Sequence, residues 1–350
     1  MTTKSKKLVY FEKWMDPVAE EMLAGKDGID LHRLSFGDAE EGNWAALAEA
    51  HGYQLLASNE IQPPFIPERP LIERCPNLLA FSVTGAGYDM VDVEACTEAG
   101  ILVVNQAGAN SESVAQHVLG MMLALSKQIL QSDRRLRLDR DDWDRWTYKG
   151  KELTGRTLGI IGLGNIGRRV SALAGRMFAM RVIAYDPYIT PEDFGDRGAE
   201  PVSFDDVFAE ADFVSINCPL TDETRDFVGK RELELMKPTA YFITTARGGI
   251  LDEEALAAVL SGGGIAGAGL DVFAEEPPPL DHPLLNFDNV IVSPHIAGIT
   301  DDSTYNMVSS AAEQWLTIFQ GARPPRLINP DVWPAYRERF GRVTGDTAED

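Results

Sequence analysis

One stretch constrains this chain more than any other. The apolar run Leu158-Gly159-Ile160-Ile161 passes directly into Gly162-Leu163-Gly164-Asn165-Ile166-Gly167, and then into a helix-spaced segment carrying Val170, Leu173 and Phe178. Strand, glycine loop and helix in that order begin a βα unit that cradles a pyrophosphate. Gly162 makes the tight turn, Gly164 lets the backbone approach the phosphates, and Gly167 lets helix and strand pack closely. The first helical residues, Asn165 and Ile166, bring N–H groups and a partial positive charge to the same place. The next apolar run ends at Asp186, 19 residues beyond Gly167. A carboxylate there accepts hydrogen bonds from ribose hydroxyls and repels a 2′-phosphate, which points to NAD over NADP. A second string of the same spacing, Gly262 to Gly267, precedes an apolar run and does not follow one, so a helix-to-strand turn is expected there.

Around this unit the chain alternates between short apolar runs and helix-like intervals. Residues 158–161, 182–185, 213–216, 241–243, 268–272 and 290–292 predict a doubly wound parallel sheet. Upstream, Leu8–Phe11, Tyr53–Ala57, Leu78–Val83 and Ile101–Asn105 predict a smaller parallel sheet with polar helical stretches between its strands. Residues 111–130 read as one helix, capped by Ser111 or Ser113, with Val114, Val118, Leu119, Met122 and Leu125 on one face. The charged segment Asp133–Lys151, with Trp143 and Trp146, reads as a surface helix and connector. A helix from 303 to Phe319 is expected, then a proline-rich tail fraying at Asp346–Asp350. The aromatic stretch Asn329–Tyr336 could cap a pocket, but packing is favoured, because aromatic side chains are first of all large apolar surfaces.

Composition narrows the function. The length of 350 residues suggests two domains, and the formal charge of −22 disfavours nucleic acid and anionic membrane as partners. An anionic substrate would need a local cation to overcome that field. Cys75, Cys96 and Cys218 are too scattered for a disulfide framework or zinc ribbon, and no histidine spacing suggests a metal site, so none is expected. Met1–Lys7 lacks a following apolar region and no run is long enough to span a membrane, which reads as a cytoplasmic protein.

Three charged residues follow successive strands, where open α/β sheets bind their ligands. Arg247 follows the run at 241–243, Glu276 the run ending at Val272, and His295 the run at 290–292. Alone, each reads as well as a surface ion pair, a solvated acid or a loop cap. Together they offer an anion anchor and an acid–base pair beside a dinucleotide.

From about residue 78 to 300 the chain resembles the D-2-hydroxyacid dehydrogenase family, which includes phosphoglycerate dehydrogenases, glyoxylate/hydroxypyruvate reductases and the C-terminal-binding-protein corepressors. The resemblance is carried by Thr84–Asp89, Ser113–His117, Leu158–Gly167, Cys218–Arg225, Met236–Pro238, Ala246–Gly248, Leu270–Phe273, Glu276-Pro277 and Ser293–Gly298. It implies a Rossmann NAD domain over 109–303. A smaller flavodoxin-like α/β substrate domain, discontinuous in sequence, would comprise 1–108 and 304–350. The cleft between them would be the active site, and the protein a homodimer. It also implies reduction of a 2-oxo acid to the D-2-hydroxy acid, with His295 as acid–base group and Glu276 as its partner. Arg247 would hold the substrate carboxylate and polarise the carbonyl. A neighbouring carboxylate stabilises an imidazolium, which suits a general acid. Carried over residue by residue, Cys218, Pro219, Thr224, Thr245, Ala246, Asp271, His295 and Gly298 join the cofactor site. Asp271 matches the group that binds the nicotinamide carboxamide, and Ala86 and Gly87 match the loop that contacts the substrate carboxylate. Corepressor relatives keep the same residues yet act as NADH-sensing scaffolds; a peptide groove or long regulatory tail would mark that reading, and neither is legible. Some relatives carry Arg or Lys where this chain has Val83, Thr84 and Ala86, which argues against a phosphorylated substrate. Formate dehydrogenases of the superfamily have Gln where Glu276 stands. Thr245 replaces the Asn common before Ala-Arg-Gly.

Overall fold

The computed structural model describes residues 5–56, 60–139, 144 and 146–349. Met1–Lys4, Ala57 of an expected strand, Trp143 of the expected connector and Asp350 of the expected frayed end lie outside the described residues. The chain divides into two compact units, Met1–Asn110 with Thr300–Asp350, and Ser111–Ile299.

The first unit holds five parallel strands: β1 (Lys6–Phe11), β2 (Ile29–Leu34), β3 (Gly52–Leu55), β4 (Ala80–Val83) and β5 (Leu102–Val104). Their order is β2-β1-β3-β4-β5, the flavodoxin-like arrangement. Side chains alternate along each strand, so each sheet face builds its own core. Val9, Phe11, Tyr53 and Phe81 enter one core, whereas Leu8, Tyr10, Leu79 and Leu102 enter the other. Helix Asp301–Phe319 covers the second face with Trp315.

Two expectations for this unit are corrected. β2 lies where a polar helical stretch was expected: as an edge strand it leaves Asp30, His32 and Arg33 in solvent, so it shows no apolar run. The tail holds a helix, Trp333–Thr344, opening with proline in its first turn, where the missing N–H costs nothing. Tyr336 and Phe340 are buried in the core, so the aromatic stretch packs. Beyond it the chain is tied down and not frayed. Asp346 pairs with Lys6 at 3.3 Å, Glu349 N–H donates to Gly321 C=O at 2.9 Å, and Ala348 is buried.

The second unit has seven parallel strands: β6 (Thr157–Ile161), β7 (Arg181–Tyr185), β8 (Glu200–Pro201), β9 (Phe213–Ile216), β10 (Tyr241–Thr244), β11 (Gly267–Leu270) and β12 (Val290–Val292). The order β12-β11-β10-β9-β6-β7-β8 is that of a Rossmann sheet, with one more strand beyond its sixth. The strand direction of winding reverses between β6 and β9, and the loops leaving these two strands form the switch point. The short edge strand β8 carried no apolar signal. Residues 111–130 form two helices, not one: Ser111–Ser126 and Ile129–Leu138, broken at Gln128 with φ 52°. The break falls where residues 149–151 cross the helix end; Lys151 N–H donates to Ser126 C=O at 2.8 Å, and Ser126 Oγ donates to Lys151 C=O at 2.7 Å. The Gly262–Gly267 string joins helix Glu253–Ser261 to β11, as a helix-to-strand turn. Among the described residues no helix is long and apolar enough to cross a membrane.

Candidate active site

At the switch point each glycine of the loop meets a different physical demand. Gly162 adopts φ +85°, and a Cβ there would lie 2.8 Å from the Cys218 nitrogen. Gly167 is tighter still, with a Cβ placed 2.1 Å from the Gly162 carbonyl oxygen. A Cβ on Gly164 would meet nothing within 4 Å, so this glycine borders open space. Helix Asn165–Phe178 starts there with no side-chain cap, leaving its first N–H groups for an anion. These features fit a dinucleotide's pyrophosphate.

Asp186 directly follows β7, and its carboxylate holds the glycine loop in place. Its Oδ2 accepts the Leu163 N–H at 2.9 Å, and its Oδ1 the Tyr188 N–H at 3.0 Å. Arg197 Nη1 donates to the Leu163 carbonyl at 2.8 Å, so the peptide groups on either side of Leu163 are both held. Sequence reasoning missed Arg197, whose loop contact is non-local. Cys218 lies against Gly162, and burial pushes its thiol up to about 12, with Asp186 adding to the rise. Thr224 Oγ1 donates to the Pro219 carbonyl at 2.7 Å and shapes the loop after β9. Beside it Asn217 Oδ1 is buried with no hydrogen-bond partner, and Thr244 Oγ1 at the end of β10 is in the same state. Orphaned polar atoms at strand ends are what a polar ligand would satisfy.

Arg247, Glu276 and His295 leave the ends of β10, β11 and β12, and the structure joins the last two. His295 Nδ1 donates to Glu276 Oε2 at 2.8 Å, while Glu276 Oε1 accepts the Phe273 N–H at 3.1 Å. Burial pushes the Glu276 carboxyl up. The hydrogen bond and charge of His295, the Phe273 N–H and the charge of Arg247 outweigh it and hold the group below the ordinary carboxylate value. His295 Nε2 accepts and donates nothing among the described residues. Gly248 locks the Arg247 loop to the Glu276 turn, since a Cβ there would fall 1.9 Å from the Phe273 carbonyl oxygen.

His295 has φ 55°, a conformation rare for a residue with a side chain and typical of functional positions. Asp271 holds it there. Its buried carboxylate accepts the Ile296 N–H at 2.9 Å, the Ala297 N–H at 2.8 Å and the Ser293 hydroxyl at 2.6 Å, and its carbonyl accepts the His295 N–H at 2.8 Å. Ser113 Oγ donates to the Ala297 carbonyl at 2.7 Å, and His117 Nε2 donates to Ser293 Oγ at 3.0 Å. These two residues sit one helical turn apart on Ser111–Ser126 and grip the loop from one side. Their spacing was visible in the sequence; what they hold was not.

In the first unit, the loop after β4 carries Ala86 and Gly87. Gln106 N–H donates to the Gly85 carbonyl at 2.9 Å, and Asn105 Nδ2 donates to the Ala86 carbonyl at 2.6 Å. The N–H groups of Gly85, Ala86 and Gly87 donate to no acceptor among the described residues. With the Gly85 and Ala86 carbonyls occupied and these amides unclaimed, the turn has donors to offer an anion.

Comparison with known proteins supplies the family. Residues 119–297 match the model of the D-isomer specific 2-hydroxyacid dehydrogenase NAD-binding domain. A glyoxylate reductase of Aeropyrum pernix is 40% identical over 75% of this chain and 79% of its own length. A D-3-phosphoglycerate dehydrogenase of Methanocaldococcus jannaschii is 41% identical over 79% of this chain, which spans about half (52%) of that longer relative. Among solved structures, a glyoxylate reductase from Paecilomyes thermophila superposes with TM-score 0.83 at 29% identity, covering 93% of this chain and 98% of that one. The chain belongs to the D-isomer specific 2-hydroxyacid dehydrogenase family, and its second unit carries that family's NAD-binding domain.

Proposed function

We propose that this protein interconverts a small, unphosphorylated 2-oxo acid and its D-2-hydroxy acid with NAD as cofactor. The observation that carries the reading is the His295–Glu276 hydrogen bond at the strand ends of an NAD-binding sheet. Bound NADH supplies the hydride, and bound NAD+ accepts it in reverse. In reduction His295 gives a proton from Nε2 to the carbonyl oxygen; in oxidation it takes the hydroxyl proton at the same atom. Glu276 fixes the ring through Nδ1 and stabilises the imidazolium by its charge. Arg247 binds the substrate carboxylate and draws charge onto the carbonyl oxygen; Ala86 and Gly87 of the first unit are also assigned to the substrate.

The remaining assigned residues serve the cofactor in this reading. Gly162, Gly164, Asn165, Ile166 and Gly167 hold the pyrophosphate and Asp186 the ribose. Cys218, Pro219, Thr224, Thr245, Ala246 and Gly298 line the site. Asp271, fully engaged in holding the 293–297 loop, reaches the nicotinamide end through that loop. Val83, Thr84 and Ala86 bring no cation to the substrate turn, which supports an unphosphorylated substrate. The reading includes a homodimer, as the family resemblance implies. It also includes a cytoplasmic location, supported by three free thiols.

The test follows NADH absorbance with 2-oxo acids from glyoxylate to phenylpyruvate, repeated with NADPH. Turnover with one size class and with NADH over NADPH is expected. Tight NADH binding without turnover on any member would overturn the reading.

A further inference from the structure

Behind the substrate turn lies a chain of buried, uncharged amides that no catalytic role accounts for. Gln54, on β3, is buried and donates from Nε2 to Thr84 Oγ1 at 3.0 Å. Thr84 Oγ1 in turn donates to the Leu55 carbonyl at 2.6 Å. Gln54 Oε1 accepts the Trp315 indole N–H at 2.8 Å, which ties the turn to helix Asp301–Phe319. On the other side, Gln314 Nε2 donates to Gln106 Oε1 at 3.0 Å and to the Asn105 carbonyl at 2.9 Å. Gln106 Nε2 donates to the Val83 carbonyl at 3.2 Å, and Asn105 Nδ2 to the Ala86 carbonyl at 2.6 Å.

Burying so many polar groups is costly unless they are satisfied together, and a satisfied network fixes its members in place. Here the network converges, through Gln54, Asn105 and Gln106, on the strand end and turn spanning Val83 to Ala86. The links engage its hydroxyl and carbonyls and none of the N–H groups of Gly85, Ala86 or Gly87. Charged side chains in these positions would bind a carboxylate themselves or repel it; neutral amides orient the turn without competing for the ligand.

We infer that Gln54, Asn105 and Gln106, braced by Trp315 and Gln314, are positioning residues that hold the 84–87 turn with its amides free for the substrate carboxylate. This rests on the dehydrogenase reading above.

The experiment compares full-length wild type with Asn105→Ala and Gln54→Met, using the 2-oxo acid that the wild type turns over best. The readouts are KM, kcat, the NADH dissociation constant and the inhibition constant of oxamate, a carboxylate-bearing substrate analogue. A rise of about tenfold in KM and in the oxamate constant is expected for each variant, the scale of a weakened charge-assisted hydrogen bond. kcat should change by less than about threefold, with NADH binding unchanged, because the loss falls on ground-state anchoring. A lowered melting temperature with unchanged KM would show a purely structural network and overturn the inference. So would a loss confined to kcat or shared by NADH binding. Should Asn105→Ala fail to fold, Gln54→Met and Thr84→Val carry the same test. Absence of wild-type turnover on any 2-oxo acid would instead overturn the parent reading.

Discussion

At the scale of single residues, the site is a set of side chains whose second contacts matter as much as their first. His295 reaches Glu276 with one nitrogen and leaves the other unclaimed, while Asp271 supports its strained backbone from below. Replacing His295 with Ala should lower turnover by about 10²–10⁴ and flatten the pH–rate profile while NADH still binds; a rate near wild type would remove the assigned role. Glu276 adds a linked effect on stability. Its carboxyl is held below the ordinary value in the folded protein, so its stabilisation is complete above the ordinary carboxylate pKa, near ~4.3. That stabilisation is lost as pH falls through the lower folded value. Glu276→Gln should therefore lose part of the acid sensitivity of unfolding, measured by urea denaturation between neutral and acidic pH. Equal acid sensitivity in both proteins would contradict this.

At the scale of elements, what was legible followed from burial. The strands β1, β4, β6, β7, β9, β10 and β12 announce themselves as apolar runs because both faces of a parallel sheet are covered. The edge strand β2 does not, since Asp30, His32 and Arg33 interrupt it and solvent covers much of it. The break at Gln128 depends on a segment more than twenty residues away crossing the helix end, which no local pattern encodes. The same holds for the site. Arg247, Glu276 and His295 stand beside strand ends that can be read in order, whereas Ser113, Arg197 and Gln54 act through contacts distant in sequence.

Helix Trp333–Thr344 shows what one hidden contact contributes. Arg339 is buried and donates to the carbonyls of Leu78 at 2.6 Å, Pro76 at 2.8 Å and Ala99 at 2.9 Å. Burial, with Arg342 nearby, lowers its pKa to about 10. Arg339→Met should destabilise the first unit by about 3 kcal/mol, because it strands three carbonyls. Arg339→Lys should recover little of that, as an ammonium lacks the planar fork. Denaturant unfolding would check both, and a loss under ~1 kcal/mol would contradict the role.

At the scale of the whole molecule, two parallel sheets of different strand order carry different features. The second unit carries the glycine loop and the hydrogen-bonded His295–Glu276 pair, and the first carries the amide-held turn. Ligand linkage should report on this. NADH at a hundredfold excess over its dissociation constant stabilises the unit that binds it by about 2.7 kcal/mol, a rise of roughly 5–10 °C in melting temperature. A scan that shows no shift with NADH, or an equal shift with NADPH, would contradict the cofactor assignment. The net charge of −22 acts at this scale too, discouraging anions in general and leaving their recognition to local donors.

The first unit is assembled from two stretches of chain separated by the whole of the second. On the ribosome, residues 111–299 emerge as one uninterrupted block and can fold while the last segment of the chain is still being made or lies in the exit tunnel, since domains fold as units during synthesis. The first unit must wait for Trp315, Gln314 and Arg339, which complete its core and brace its turn. A nascent or prematurely terminated chain would therefore gain a dinucleotide site before it gained a finished substrate turn. The order of translation thus completes the NAD-binding unit first, and the 84–87 turn only once helices Asp301–Phe319 and Trp333–Thr344 have packed on their sheet.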